Sequence, residues 1–244
     1  MIAVIARREI YGLFTTASSW MALAVSQLLL AWLLFTQLDV YLKILPDLVA
    51  QNSRLGVIDL VITPTLLSAS MVLLLIIPLL GMGSIADEIR SGRLTLILSS
   101  PTRSWQLVVG KWLGLWLGTL PLVLAPWLMA WSVEAGSAVD FGRLAASLLG
   151  LTLFSSMVAA ICIWLSSISE QPITAAAMSW GLLFLLWLMN ENSGSVMQTV
   201  SLKVHLSAFL QGMIGTQHIA YFLLITVAAL ALGNHRIYRQ GGGE

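Results

Sequence analysis

The chain has 244 residues, of which 58% are hydrophobic and only 9% are charged, and its mean hydropathy is +0.91. Because a soluble domain carries about 25% charged residues, this composition excludes a water-soluble globular protein. It predicts an all-α polytopic membrane protein. The net charge of +1 gives no reason to expect a nucleic-acid partner, and a single cysteine excludes an intramolecular disulfide.

Six apolar runs are long enough to cross a bilayer as helices, which takes about 20 residues. We expect the spans at about residues 20–38, 65–85, 105–131, 144–166, 173–190 and 218–233. No stretch between these runs is long enough to build a core of its own. Residues 1–244 are therefore expected to form a single transmembrane domain.

The residues before the first span have a mixed character. Residues 1–19 combine apolar side chains with Arg7, Arg8 and Glu9. This pattern predicts an amphipathic helix that lies in the cytoplasmic membrane interface and leads into the first span.

Several local sequence features predict how the six spans begin, bend and connect. Pro78, close to two glycines, predicts a kink in the second span, and Pro172 suits the start of the fifth. Residues 39–63 are expected to form an outer loop that touches the membrane. Residues 200–213 carry apolar side chains near helical spacing and predict a short helix that lies on or dips into the outer leaflet, with an irregular loop as the alternative.

The orientation follows from lysine and arginine, which favour the cytoplasmic side. With six spans, both termini share one side with the connection between the second and third spans. That side would carry Arg7, Arg8, Arg90, Arg93, Arg103, Lys111, Arg236 and Arg239, whereas the other would carry Lys43, Arg54, Arg143 and Lys203. This bias places both termini in the cytoplasm, and the opposite topology is the alternative.

A phosphate-binding loop for ATP hydrolysis is missing from the sequence. Its signature is GxxxxGK[ST], but Gly110-Lys111 is followed by Trp112, and Trp105 stands at the first glycine position. We therefore expect this chain to be a non-enzymatic subunit that binds no cofactor itself.

Other catalytic and metal sites lack their usual residue groups. His205, His218 and His235 are separated along the chain, and we interpret each as an interfacial polar residue rather than a metal ligand. Ser155, in mid-span, has no histidine partner in the sequence, so its hydroxyl is interpreted as a packing group. Gln27 either bonds across a helix interface or lines a polar path, and we favour packing.

The connection between the second and third spans, ADEIRSGRLTLILSSPTRSWQLVVGK, is the most unusual part of the sequence. Acidic residues end the second span, Gly92 permits a turn, and a short apolar run follows between arginines. Pro101 then prevents a helix from continuing. Such a segment could lie on the membrane surface or fit a groove on a cytoplasmic partner.

This connection resembles that of ABC transporter permeases of the type 2, exporter-like class. Their pattern is approximately E-x-x-SG-T-L-x-x-L-L-S-x-P, followed by L-G-K. The matching positions here are Glu88, Ser91, Gly92, Leu94, Leu98, Ser99, Pro101, Gly110 and Lys111. Arg93 stands where the family often has threonine. The N-terminal RREIYGLF is also similar to the family's interfacial helix, and the subgroup most similar is that of gliding-motility and copper-enzyme-maturation permeases.

The resemblance implies a mechanism. Two permease subunits, identical or related, would pair in the bacterial inner membrane above two ATPase subunits that bind ATP and Mg. The segment Asp87–Pro101 would be the coupling helix that enters a cleft on the ATPase. Its candidate contact residues are Asp87, Glu88, Arg90, Ser91, Gly92, Arg93, Leu94, Leu96, Leu98 and Pro101. Glu88 and the arginines would position this joint as charged pairs, which contribute modestly to stability when they are exposed.

Alternative functions stay open at this point. The same spans could act as a mechanotransmitter that drives an extracytoplasmic partner, for which the outer loop 191–217 is the candidate docking site. A membrane scaffold or intramembrane enzyme without ATP coupling is the alternative from a different class. The uniformly apolar spans single out no substrate-binding residues.

The third span carries a glycine stripe. Gly110, Gly114 and Gly118 recur every fourth residue, so they share one helix face and permit the close approach of another helix. We expect this face to pack tightly, and a Gly114→Leu substitution to destabilise or uncouple the protein.

Overall fold

The computed structural model describes residues 1–50, 56–94, 103–134, 140–189 and 200–240, and these residues form helices and their connections with no strand. The all-α polytopic fold expected from the sequence is confirmed. The helices are α1 (Ile2–Thr15), α2 (Ala17–Ala50), α3 (Thr63–Gly81), α4 (Gly83–Arg90), α5 (Ser104–Glu134), α6 (Phe141–Ile168), α7 (Pro172–Leu188), α8 (Leu202–Leu210) and α9 (Thr216–Gln240).

Five stretches of the described chain are helical, long and apolar enough to cross a membrane. They are Ala17–Asp47, Ile58–Arg90, Ser104–Val133, Phe141–Ile168 and Thr216–Gln240. The fifth expected span corresponds to α7, which begins at Pro172 as expected but has only 17 residues. At 1.5 Å per residue α7 is about 26 Å long, slightly less than the hydrocarbon core of a bilayer.

Helix α6 forms the centre of the bundle, because it packs against α3, α5, α7, α8 and α9. Its long run of buried apolar residues includes Phe154 at the core. Helices α5 and α6 run antiparallel, joined by tryptophan side chains of α5 whose indole Nε1 groups donate to carbonyl oxygens of α6. These hydrogen bonds link Trp112 to Ser156 (3.0 Å), Trp116 to Thr152 (3.2 Å) and Trp127 to Leu144 (2.9 Å).

The expectation of a loop at residues 39–63 is wrong for most of that range, because most of it is helical. Helix α2 continues through Pro46 to Ala50, and a short π-helical segment, Ile58–Ile62, already leads into α3. An i,i+4 ion pair between Asp39 and Lys43, at 2.6 Å, favours the helix beyond the expected span end. With 34 residues, α2 is about 51 Å long and exceeds the hydrocarbon thickness.

The second span is interrupted four residues after the proline that predicted its kink. Pro78 lies inside α3, and the break falls at Met82, between α3 and α4. The Ser166 hydroxyl of α6 donates to the Met82 carbonyl and accepts from the backbone N–H groups of Ile85 and Ala86, all within 3.1 Å. A side chain from the central helix therefore satisfies the backbone groups that the break exposes.

The short helix expected over residues 200–213 is confirmed as α8. Its Leu206 and Phe209 side chains are fully buried. A Cβ at Gly150 of α6 would lie 2.5 Å from the Phe209 Cβ, so the two helices touch closely. Gly212, with φ of +84°, then ends α8 in the left-handed conformation. Helix α8 thus packs closely on α6, and its place at the outer leaflet stays a prediction.

Candidate functional site

A buried ion cluster joins α1, α4 and α5. The Lys111 side chain is only 2% exposed, and its Nζ donates to Glu9 Oε1 at 2.5 Å and to Glu88 Oε1 at 2.9 Å. A third hydrogen bond goes to the backbone carbonyl of Ser84 at 2.7 Å. All three ammonium protons are therefore used, as a buried lysine requires.

The glycine stripe of α5 explains why α1 can come so close. Each glycine faces one residue of α1, and the facing residues also recur every fourth position. A Cβ added at Gly110, Gly114 or Gly118 would lie within 3 Å of Ile5, Glu9 or Leu13, respectively. The register shows that α1 and α5 run side by side in the same direction.

This packing changes the interpretation of the N-terminal segment. From Ile5 to Leu13 the helix follows α5 for about 12 Å. The helix expected within residues 1–19 covers Ile2–Thr15 and lies lengthwise on the third span, and its position in the membrane interface stays a prediction. Because the stripe carries no side chains, the only surface that α5 offers here is backbone, which favours an aligned helix over a transverse one.

Helix α4 contains the described beginning of the expected coupling segment. Asp87 and Arg90 are exposed, whereas Ile85, Ala86 and Glu88 are buried. Glu88 therefore points into the protein and pairs with Lys111 rather than forming part of the exposed surface of α4. The helical period explains the difference, because Glu88 lies on the same face as Ile85, three residues earlier.

The helix ends in a turn that the sequence signals. Gly92 has φ of +69°, which favours glycine, and its N–H donates to the Ile89 carbonyl at 3.1 Å. The Ser91 hydroxyl donates to the Asp87 carbonyl at 2.6 Å and accepts from Arg93 Nε at 2.9 Å. Leu94 is then buried at 5% exposure. The remaining candidates of this segment, Leu96, Leu98 and Pro101, lie outside the described residues.

A second polar cluster, at the opposite ends of the helices, centres on Arg143 of α6. Its Nη2 donates to Asp59 Oδ1 at 2.8 Å and to Thr63 Oγ1 at 2.9 Å. Its Nε donates to the Leu210 carbonyl at 3.0 Å, where α8 ends. In the sequence, Arg143 was only one of the four positive charges expected on the outer side. A lone arginine at the start of a long apolar helix was the available signal for a structural role.

Two of the histidines are close in space, although they are separated along the chain. Nδ1 of His205 and Nδ1 of His218 lie 2.8 Å apart, and the His205 ring stacks on Tyr221 with a centroid distance of 4.0 Å. This distance is that of a hydrogen bond. No group of three or more His, Cys, Asp or Glu residues suited to a metal occurs within the described ranges. The pair joins α8 to α9.

Two polar residues of the expected spans, Ser155 and Gln27, differ in whether their side chains have hydrogen-bond partners. The Ser155 hydroxyl donates to the Thr152 carbonyl of its own helix at 2.9 Å, a bond that serves local packing. Both polar atoms of the Gln27 amide are buried, and neither has a hydrogen-bond partner among the residues that the structure describes.

A comparison with family profiles decides the class of this protein. The profile described as "ABC-2 family transporter protein" matches residues 27–231, which is most of the chain. The chain belongs to the ABC-2 transporter family. It is therefore a multi-pass membrane protein and the permease subunit of an ABC transporter, a family whose permeases work with an ABC ATPase. Among curated proteins, none matches this ABC-2 permease significantly.

Proposed function

We propose that this permease couples ATP hydrolysis by separate ATPase subunits to movement of its own spans, with Asp87–Pro101 as the ATPase contact. One observation carries the proposal. Helix α4, which begins this segment, is anchored through Glu88 to Lys111 of the third span, and Lys111 is anchored in turn to Glu9 of α1.

The ion cluster supports transmission of a displacement. A buried ion pair whose lysine uses all three ammonium protons holds its members in one arrangement. If α4 moved without α5, the Glu88 and Lys111 side chains would separate inside the protein, at a cost of about 3–5 kcal/mol. A push on α4 from the cytoplasm therefore moves α1, α4 and α5 together. The Ser166 hydroxyl extends this connection to the central helix α6.

The exposed side of α4 is suited to a charged partner surface. Asp87, Arg90 and Arg93 face outward there and form no ion pair with a described residue. The apolar Leu96 and Leu98 follow them in the sequence. A short apolar segment flanked by charges is the kind of element that enters a groove on another protein.

The resemblance supplies the rest of the assembly. Two ATPase subunits would carry ATP and Mg, because this chain has no nucleotide-binding loop of its own. A second permease, identical or related, would complete the membrane part. Both termini would lie in the cytoplasm of a bacterial cell, as the distribution of lysine and arginine favours. The gliding-motility and copper-enzyme-maturation permeases are the subgroup that we propose.

A mechanotransmitter is the second candidate function. The length of α2, about 51 Å, supports it, because a helix that crosses the membrane and continues to Ala50 reaches well beyond the hydrocarbon. In this alternative α2 and the outer loop would drive an extracytoplasmic partner. Transport by the reconstituted complex would favour export, whereas ATP-driven movement without transport would favour mechanotransmission.

Co-purification with an ABC ATPase encoded next to this permease in its genome, where there is one, tests the coupling segment. The variant Leu96→Asp plus Leu98→Asp should lose the ATPase, because carboxylates cannot enter an apolar groove without a large desolvation cost. The matched control is Val40→Asp plus Leu42→Asp, which places the same charges on exposed positions of α2. Equal ATPase recovery by both variants and by wild type would refute the assignment. No recovery by wild type would favour the scaffold alternative.

A further inference from the structure

A polar cleft of about 410 Å³ lies where the α1–α2 junction faces the break between α3 and α4. The three residues of the buried ion cluster form part of its wall, and the cleft is open to the outside. Its other walls combine charged and apolar side chains, which include Arg8, Arg93, Leu13, Leu79 and Leu80.

Glu88, which lines the cleft, has a buried carboxylate oxygen that lacks a donor. The Glu88 side chain is 8% exposed, and its Oε1 accepts from Lys111. Its Oε2 is buried and has no hydrogen-bond partner in the described part of the chain. Because an unsatisfied buried carboxylate oxygen is costly, a donor from a ligand in the cleft would be strongly favoured here.

Positive charge and an apolar wall complete the cleft. The exposed Arg8 and Arg93 guanidinium groups form no ion pair with a described residue, so both are available to an anion. Leu13, Leu79 and Leu80 line the apolar part. The cleft thus offers separate places for a cation, an anion and a short apolar segment.

We propose that this cleft binds the headgroup of a zwitterionic aminophospholipid. The primary ammonium of the lipid donates to Glu88 Oε2, and its phosphate contacts Arg8 and Arg93. The first carbons of its acyl chains lie along Leu79 and Leu80.

The charges of the cleft favour this lipid class over others. Glu9, Asp87 and Glu88 supply three negative charges, and Arg8, Arg93 and Lys111 supply three positive ones. A neutral zwitterion keeps that balance, whereas an anionic lipid adds an uncompensated charge. A choline headgroup carries a cation but has no N–H to donate to Glu88. A divalent metal would be repelled by the Lys111 ammonium, which already lies between the carboxylates.

Native mass spectrometry of the delipidated permease in detergent tests the proposal without the ATPase. The probes are phosphatidylethanolamine, phosphatidylcholine and phosphatidylglycerol with identical acyl chains. Wild type should prefer the ethanolamine lipid to the choline lipid by about tenfold, the difference that one charge-assisted hydrogen bond produces. Glu88→Gln should abolish this preference. The control Glu170→Gln removes an exposed acid outside the cleft and should retain it.

A second variant keeps the test decisive if Glu88→Gln loosens the ion cluster. Arg8→Gln plus Arg93→Gln lies outside that cluster and should weaken the ethanolamine and choline lipids alike, because both carry the phosphate. Unchanged binding of both lipids by this variant would overturn the proposal. So would equal binding of the two lipids by wild type, or a preference for the glycerol lipid. If free glycerophosphoethanolamine competed for the cleft as strongly as phosphatidylethanolamine does, the acyl chains would not contribute to binding. The proposal that the ligand is a membrane lipid would then be overturned.

Discussion

Replacing Lys111 with methionine tests the buried ion cluster most directly. Methionine keeps the approximate volume of the side chain but removes its charge and its three hydrogen bonds. Glu9 and Glu88 would then lie close together without a counter-charge, and Glu88 is almost fully buried. Removal of one partner from a buried ion pair costs about 3–5 kcal/mol. We therefore expect a large loss of stability from this single substitution.

An exposed ion pair in the same chain provides a matched control. Lys43 and Asp39 pair at 2.6 Å, but their side chains are 71% and 63% exposed. Solvent screens such pairs, so Lys43→Met should change the free energy of unfolding by about 0.5 kcal/mol or less. The two substitutions are chemically identical, and their difference isolates the effect of burial.

Unfolding by sodium dodecyl sulfate in mixed micelles, followed by circular dichroism, measures both variants against wild type. The combined variant Lys111→Met plus Glu88→Gln should recover part of the loss, because it removes one of the stranded carboxylates. If Lys111→Met unfolds at the same detergent fraction as Lys43→Met, the ion cluster does not hold α1, α4 and α5 together. The transmission route proposed above would then be refuted.

Three further predictions use the same unfolding assay. Gly114→Ala should lower the free energy of unfolding by about 1–3 kcal/mol, because its Cβ would lie 2.9 Å from the backbone carbonyl of Ala6. The control Gly181→Ala, whose Cβ would have nothing within 4 Å, should be neutral or stabilising. Equal effects of the two substitutions would contradict close packing on the stripe. Arg143→Met should lower the free energy of unfolding by about 1–2 kcal/mol, because Asp59 and the carbonyl at the end of α8 lose their hydrogen bonds to the arginine. An unchanged unfolding transition would show that this cluster does not stabilise the fold. Gln27→Leu should be neutral or stabilising in the isolated subunit, since it removes an unsatisfied buried amide, and a clear loss would mean that the amide has a partner.

Local patterns in the sequence were sufficient for the helices and for the family. Apolar runs determined where the spans lie, because a helix in hydrocarbon must be apolar over most of its length. Pro172 marked the start of α7, and Gly92 marked the end of α4, since both act through their own backbone geometry. The loop motif pointed to the ABC-2 class, to which the chain belongs.

Long-range partners were beyond the reach of these patterns. Glu9 and Lys111 are 102 residues apart, and the charge of each residue alone suggested an interfacial position rather than a buried pair. His205 and His218 looked isolated for the same reason. Helix α2 also extended past its apolar run, because polar residues such as Asp39 and Lys43 permit a helix in water as well.

The sequence by itself thus determined the class of protein, the order of its spans and the position of its glycine stripe, because each depends on neighbouring residues. Only the tertiary structure decided what the stripe faces. Three glycines on one side of α5 require a close neighbour, but any helix would satisfy that requirement. The neighbour is α1, which places Ile5, Glu9 and Leu13 against the three glycines. In this register Glu9 also reaches Lys111 and forms the ion pair, which favours α1 over another helix.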